Sequence, residues 1–247
     1  MTELLAPGTA SGSDESLLDN AAWASLTGGH SSFAQGEDLV LRYPPDVSPF
    51  VAVAPGAGSC VWPELARLAG PGEVVALSGA AVDIATLPDD WHLVGSGEGV
   101  QLVATAALTS APEPEAVLLG APDVEEMLEL VARTQPGPFL PRTYQLGTYL
   151  GIRQEGRLVA MAGERLHPRG WTEISAVCSD PAHRRRGLAT RLVRAVAHGI
   201  RERGETPFMH AAATNVDAIR LYESIGFRLR RRTGFWAVRT PGAAVSA

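Results

Sequence analysis

The stretch Glu173-Ile-Ser-Ala-Val-Cys-Ser-Asp-Pro-Ala-His-Arg184-Arg-Arg-Gly187-Leu-Ala189 decides the fold of this chain. A strand predicted over 171–179 enters a tight turn and then a helix predicted over 186–203. Backbone N–H groups at a helix start have no intrahelical partner, and the helix dipole makes that spot favourable for an anion. Gly187 and the small Ala189 let a bulky phosphate-bearing ligand approach the backbone without a Cβ clash. Arg184, Arg185 and Arg186 add positive charge and bidentate donors. An ordinary surface helix has no use for a glycine in its first turn beside three like charges. The segment reads as an anion cradle.

Around it the second half of the chain has a regular rhythm. A short strand over 116–120 precedes a helix over 123–134 with Val124, Met127, Leu128 and Val131 on one face. The three prolines and glycine of 135–141 end that helix. Strands over 148–153 and 157–166 meet at Glu155-Gly156, a hairpin signal. Then come the strand over 171–179, the helix over 186–203 with Leu188, Leu192, Val196 and Ile200 on its buried stripe, and a strand over 207–212. A helix over 216–225 and a final hairpin over 227–239, turning near Thr233-Gly234, complete the series.

The first half is less regular. Residues 1–16 read as a disordered tail, rich in small polar residues with little to bury. Short strands are predicted over 39–43, 50–54 and 74–78. A longer one over 91–104 carries a glycine-rich turn at 95–99, and a helix over 62–69 has Pro63 in its first turn. Two prolines in 109–115 mark a linker. The expected organisation is therefore a tail, an α+β unit over 17–115 without a catalytic motif, and a second unit over 116–241.

Charge divides along the same line. The chain has 21 basic residues, all of them arginine, and 27 acids. Before residue 116 only Arg42 and Arg67 stand against 15 acids, and the remaining 19 arginines face 12 acids. That asymmetry points to an anionic ligand for the second unit. The arginines gather at one helix start and one late strand, without interleaved exposed aromatics, so nucleic acid is not the expected partner. No apolar run reaches the roughly 18 residues of a membrane span. The first residues lack a secretory pattern, so cytoplasm is the default. Cys60 and Cys178 are too few for a disulfide framework. The scattered histidines form no metal-ligand pair, and no metal is expected.

With Arg184, Gly187 and Ala189 in a Gln/Arg-x-x-Gly-x-Gly/Ala pattern, the chain resembles the GNAT superfamily of N-acetyltransferases. A second block, Asn215-Val-Asp-Ala218-Ile-Arg-Leu221-Tyr222-Glu-Ser-Ile-Gly226-Phe227, matches in the right order. The resemblance covers about half of the chain and is closest to the branch with glycine N-acyltransferase-like C-terminal domains. It implies an α/β protein with a mixed, splayed sheet, whose first half is either its own α+β unit or a degenerate copy of the same fold. It also implies acetyl-CoA as cosubstrate, a primary amine of a small molecule or amino acid as acceptor, and direct transfer in a ternary complex.

Residue by residue, the resemblance places the pantetheine arm against the backbone of Val177, Cys178 and Ser179. The diphosphate falls on Arg184, Arg185, Arg186, Gly187, Leu188 and Ala189, with Asn215 assisting. Tyr222 takes the place of the general acid to the leaving thiolate. Two residues match family positions for the base, Glu173 and His210, and Glu164 or a water chain is kept beside them. By strand alternation Glu173, Ser175 and Val177 share a face, which would point Glu173 into the cleft. Cys178 reads as structural rather than as a nucleophile, and Arg228, Arg230, Arg231 and Arg232 as a solvated strand face. Rival readings are a non-catalytic CoA-responsive module, a different acyl-CoA, and a protein acceptor. A homodimer is left open.

Overall fold

The structure, a computed structural model, describes residues 14–79 and 82–242. The expected tail lies outside the described residues up to residue 13. From Asp14 onward the chain is ordered into a 3-10 turn, Glu15–Asn20, which Asp14 caps by accepting from the Ser16 amide at 2.9 Å. The first half then contains α1 (Ala21–Leu26), β1 (Gln35–Glu37), β2 (Val40–Arg42), β3 (Phe50–Val53), α2 (Val61–Ala69), β4 (Val74–Ser78) and β5 (His92–Ala104). The second contains β6 (Ala116–Leu119), α3 (Val124–Thr134), β7 (Tyr149–Gln154), β8 (Arg157–Glu164) and β9 (Trp171–Ser179). It ends with α4 (Leu188–Glu202), β10 (Thr206–Ala212), α5 (Val216–Ser224) and β11 (Phe227–Arg239).

All the described strands join one mixed 11-stranded sheet in the order β1-β2-β3-β4-β11-β5-β10-β9-β8-β7-β6. Each half repeats one plan. Antiparallel neighbours lead to a helix crossover, through α2 or α4, and each crossover returns to a parallel partner, β3 with β4 and β9 with β10. The last strands then change sides. β5 pairs with β10, β11 pairs with β4, and the two pair with each other at the centre. The boundary expected near residue 115 thus falls between strands of one sheet.

The core follows the same sharing. On one face Leu192, Val196 and Ile200 of α4 pack with Leu102 of β5, Ile174 of β9 and Met209 of β10. Each such side chain, removed from water, contributes about 1.5–3 kcal/mol. A second cluster joins Leu18, Tyr43 and Phe50 to Trp171 and Phe208.

Two sequence expectations fail here for one reason. The glycine-rich turn at 95–99 and the hairpin near Thr233-Gly234 do not form. Both segments run straight through as the long strands β5 and β11. The glycines make room for rings instead of turning the chain. A Cβ on Gly99 would lie 2.2 Å from the Phe235 ring, and one on Gly234 would lie 2.4 Å from the Trp236 ring. Among the described residues, no helix is long and apolar enough to cross a membrane.

Candidate active site

The two parallel strands at the centre of the second half separate. β10 pairs with β9 only from Thr206 opposite Trp171 to Met209 opposite Ile174. Beyond that point β10 stays with β5, His210 facing Gln101, while β9 stays with β8, Cys178 facing Met161. The gap opens into a cavity of about 910 Å³. Ser175 to Ser179 line one side and His210 to Ala212 the other.

β9 also carries an extra residue. Gly163 faces Ser175 but Met161 faces Cys178, and Ala176 takes a φ of 53°. Such a bulge shifts the in–out alternation past it. Ile174 and Val177 therefore pack on the α4 face, while Ala176 and Cys178 pack on the α3 face. The shared face expected for Glu173 and Val177 does not exist.

The turn into α4 has the exposed backbone that the sequence suggests, with one change. The helix starts at Leu188, and Gly187 is its cap, with φ 75° and ψ 5° and no side-chain cap bond. Arg185, two residues earlier, also has a positive φ of 62°. The first intrahelical bond runs from the Arg191 amide to the Gly187 carbonyl at 3.0 Å. The amides of Leu188, Ala189 and Thr190 are left without helical acceptors, aimed outward at the helix's positive end. A Cβ on Gly187 would meet no protein atom within 4 Å, so the space in front of this backbone is open. Arg184 and Arg185 are exposed, and neither forms an ion pair with another described residue. Arg186 reaches Gln154 at 3.3 Å. The turn lines the same cavity as the strand gap.

Tyr222 lies on α5, is 7% exposed, and stacks edge-on against Phe227 with ring centroids 6.4 Å apart. Burial, then the neighbouring Cys178, pushes its phenol up to about 12. The group keeps its proton at any ordinary pH and can donate it. The Cys178 thiol is pushed up to about 11 by burial, so it is no ready nucleophile. Asn215 caps α5 by accepting from the Ala218 amide at 3.3 Å and also lines the cavity.

The two expected bases are tied into a network. Glu173 is fully buried and does not line the cavity. It accepts from Arg165 Nε at 2.8 Å and Nη2 at 2.6 Å, and from His210 Nδ1 at 2.7 Å. Burial by itself would raise its pKa. The charge and hydrogen bonds of Arg165, then those of His210, outweigh that and hold the carboxyl down at about 2. An ionised Glu173 makes His210 Nδ1 the donor and leaves Nε2 to accept. Nε2 is already engaged by the Gln101 amide nitrogen at 3.0 Å. Gln101 cannot turn, because the same nitrogen donates to the Leu18 carbonyl and its oxygen accepts from Arg230. Neither residue presents a free lone pair to the cavity. Glu164 is buried too, accepting from Arg203 at 2.8 Å and from the Thr148 amide at 3.1 Å.

Arg165 and Gln101 went unnoticed in the sequence, although hairpin register sets Arg165 opposite Glu173. The arginine run is likewise not simply solvated. Arg230 is half-buried and pairs with Asp19 at 2.7 Å, and Arg228 pairs with Glu15.

Replacing Glu173 by glutamine would leave the Arg165 charge uncompensated. We expect a loss of about 3–5 kcal/mol and a fall in the thermal midpoint on the order of 10 °C, read by calorimetry. Because the folded carboxyl titrates below its unfolded value of 4.5, its stabilisation is present above that pH and fades as pH falls toward about 2. The variant should lack that acid-side decline.

The family described as FR47-like protein matches residues 149–237, which span the strand gap, the cradle and α5. A GNAT-family protein from Novosphingobium aromaticivorans is 38% identical over 90% of this chain and 97% of its own, with a TM-score of 0.81. The chain belongs to the GNAT family. A GCN5-related N-acetyltransferase from Kribbella flavida, 19% identical over 92% of this chain and 97% of its own, has the same fold at a TM-score of 0.61. A search of curated proteins finds no match. These similarities reach the GNAT family as a whole and do not separate its glycine N-acyltransferase-like branch from the others.

Proposed function

We propose that the protein is an acetyl-CoA-dependent N-acetyltransferase acting on a primary amine in a ternary complex. One observation carries this reading: the gap between β9 and β10, the exposed amides at the start of α4 and the Tyr222 phenol all border one cavity. The cradle suits a diphosphate. Its first amides lack helical acceptors, Arg184 and Arg185 form no ion pair with another described residue, and the space a Gly187 Cβ would occupy is open. The edge of β9 from Val177 to Ser179, unpaired on the β10 side, supplies backbone groups to an extended arm.

Acetyl-CoA would supply the acetyl group as an activated thioester. Tyr222 holds a proton toward the departing sulfur. In the overall exchange the amine nitrogen loses one proton and the sulfur gains one, so the phenol can relay without net uptake. Glu173 and His210 do not take part as bases. They are positioning residues that hold Arg165 and the cavity wall. The amine accordingly enters as its free base.

The test is thiol release from acetyl-CoA with a panel of amines. At least one amine should raise the rate about tenfold or more over hydrolysis. A protein that binds CoA but responds to no amine would instead be a CoA-responsive module.

A further inference from the structure

We infer that the acceptor is an α-amino amide with a large apolar or aromatic side chain, and that Arg165 determines this specificity by binding the carbonyl beside the amine. The inference rests on the acetyl-transfer reading above.

Arg165 is 9% exposed and lines the cavity, its guanidinium 5.0 Å from the Phe50 ring centroid. Nε and Nη2 are committed to Glu173, whereas Nη1 has no hydrogen-bond partner among the described residues. Nη1 is thus an unused donor on a residue of the cavity wall, and a ligand oxygen that accepts from it gains a charge-assisted hydrogen bond. The Glu173 carboxylate already balances the charge of Arg165, so a neutral carbonyl suits Nη1 better than a second carboxylate. Arg165 Nη2 and His210 Nδ1 meet the same oxygen of Glu173, which sets the guanidinium beside the end of the strand gap.

The walls state the rest of the ligand. Phe50, under the Arg165 guanidinium, and Phe235, whose ring centroid lies 5.9 Å from that of His210, line the cavity and belong to one apolar cluster. They set aromatic surface next to the donor. The only carboxylates among the lining residues are Glu98 and Asp217, and both are exposed. A second ammonium group has no counter-charge inside, which disfavours polyamines.

The occupied bases point the same way. With Glu173 and His210 both occupied beside Arg165, an acceptor that is already neutral in useful amount is favoured. At about pH 7.5 roughly a third of α-amines are neutral, against about one in a thousand alkyl amines of the lysine type.

The experiment compares phenylalaninamide, alaninamide, phenethylamine and spermidine as acceptors, with kcat/KM expressed per neutral amine. Phenylalaninamide should exceed each of the others by about tenfold or more. Arg165→Lys keeps a cation on Glu173 but removes the Nη1 donor. It should shrink the ratio of phenylalaninamide to phenethylamine kcat/KM about tenfold. Equal use of phenethylamine, or a preference for spermidine, overturns the inference on the wild-type protein alone, whether or not the variant folds. If no amine raises thiol release above hydrolysis, the acetyl-transfer reading fails. In that case calorimetric titration of phenylalaninamide and phenethylamine into the CoA-loaded protein decides. Selective binding of phenylalaninamide upholds the carbonyl site, and equal or absent binding overturns it.

Discussion

Replacing Tyr222 by phenylalanine is expected to lower kcat about 10²–10³-fold and leave CoA affinity within about twofold. The ring would keep its edge contact with Phe227 and its place in the core around α4 and α5, so folding is spared. What disappears is one hydroxyl that borders the cavity and has no partner among the described residues. A phenol pushed up to about 12 is a weak acid, which suits a group that must stay protonated until sulfur develops charge. The native protein should therefore show no loss of the proposed activity from phenol ionisation at neutral or mildly alkaline pH. Single-turnover rates with saturating acetyl-CoA measure the effect. An unchanged kcat would remove Tyr222 from the chemistry, and a matched loss of CoA binding would make it a packing residue.

Gly187→Val should raise the Kd for CoA by about 10²-fold, because a branched side chain would stand in the place proposed for the diphosphate. A β-branched residue also resists the left-handed conformation Gly187 adopts, at a local cost on the order of 1–2 kcal/mol. Gly58 separates the two effects. It too has a positive φ, 60°, and open space before its Cβ, and it sits just ahead of α2 in the first half. Gly58→Val should show a comparable stability loss and unaltered CoA affinity. Equal weakening of CoA binding by both variants, read by calorimetry, would mean that the Gly187 effect is only unfolding.

The legible parts of the chain were those where local chemistry alone sets the structure. Arg184 to Ala189 announce a helix start with an open backbone. The Leu188, Leu192, Val196 and Ile200 stripe gives α4 its buried face, and Asn215 marks the cap of α5. The illegible parts depend on partners distant in sequence. Gly99 and Gly234 look like turn residues until Phe235 and Trp236 are seen lying over them. The left-handed Ala176 turns the second half of β9 over, and nothing in its own side chain signals this. Glu173 reads as a candidate base until Arg165 is found opposite it. His210 reads as another until Gln101, fixed by Leu18 and Arg230, is found on its remaining nitrogen. The exchange of β5 and β11 between halves is likewise invisible, because it pairs strands more than a hundred residues apart, such as Phe235 with Ser78, and leaves no local signal.

The most direct measurement compares CoA with pantetheine by titration calorimetry on the wild-type protein. Amides at the start of α4 that hold the diphosphate predict CoA binding about 100-fold tighter than pantetheine, which lacks that group. Pantetheine binding as tightly as CoA, or no binding of CoA, would contradict the cradle and the function built on it.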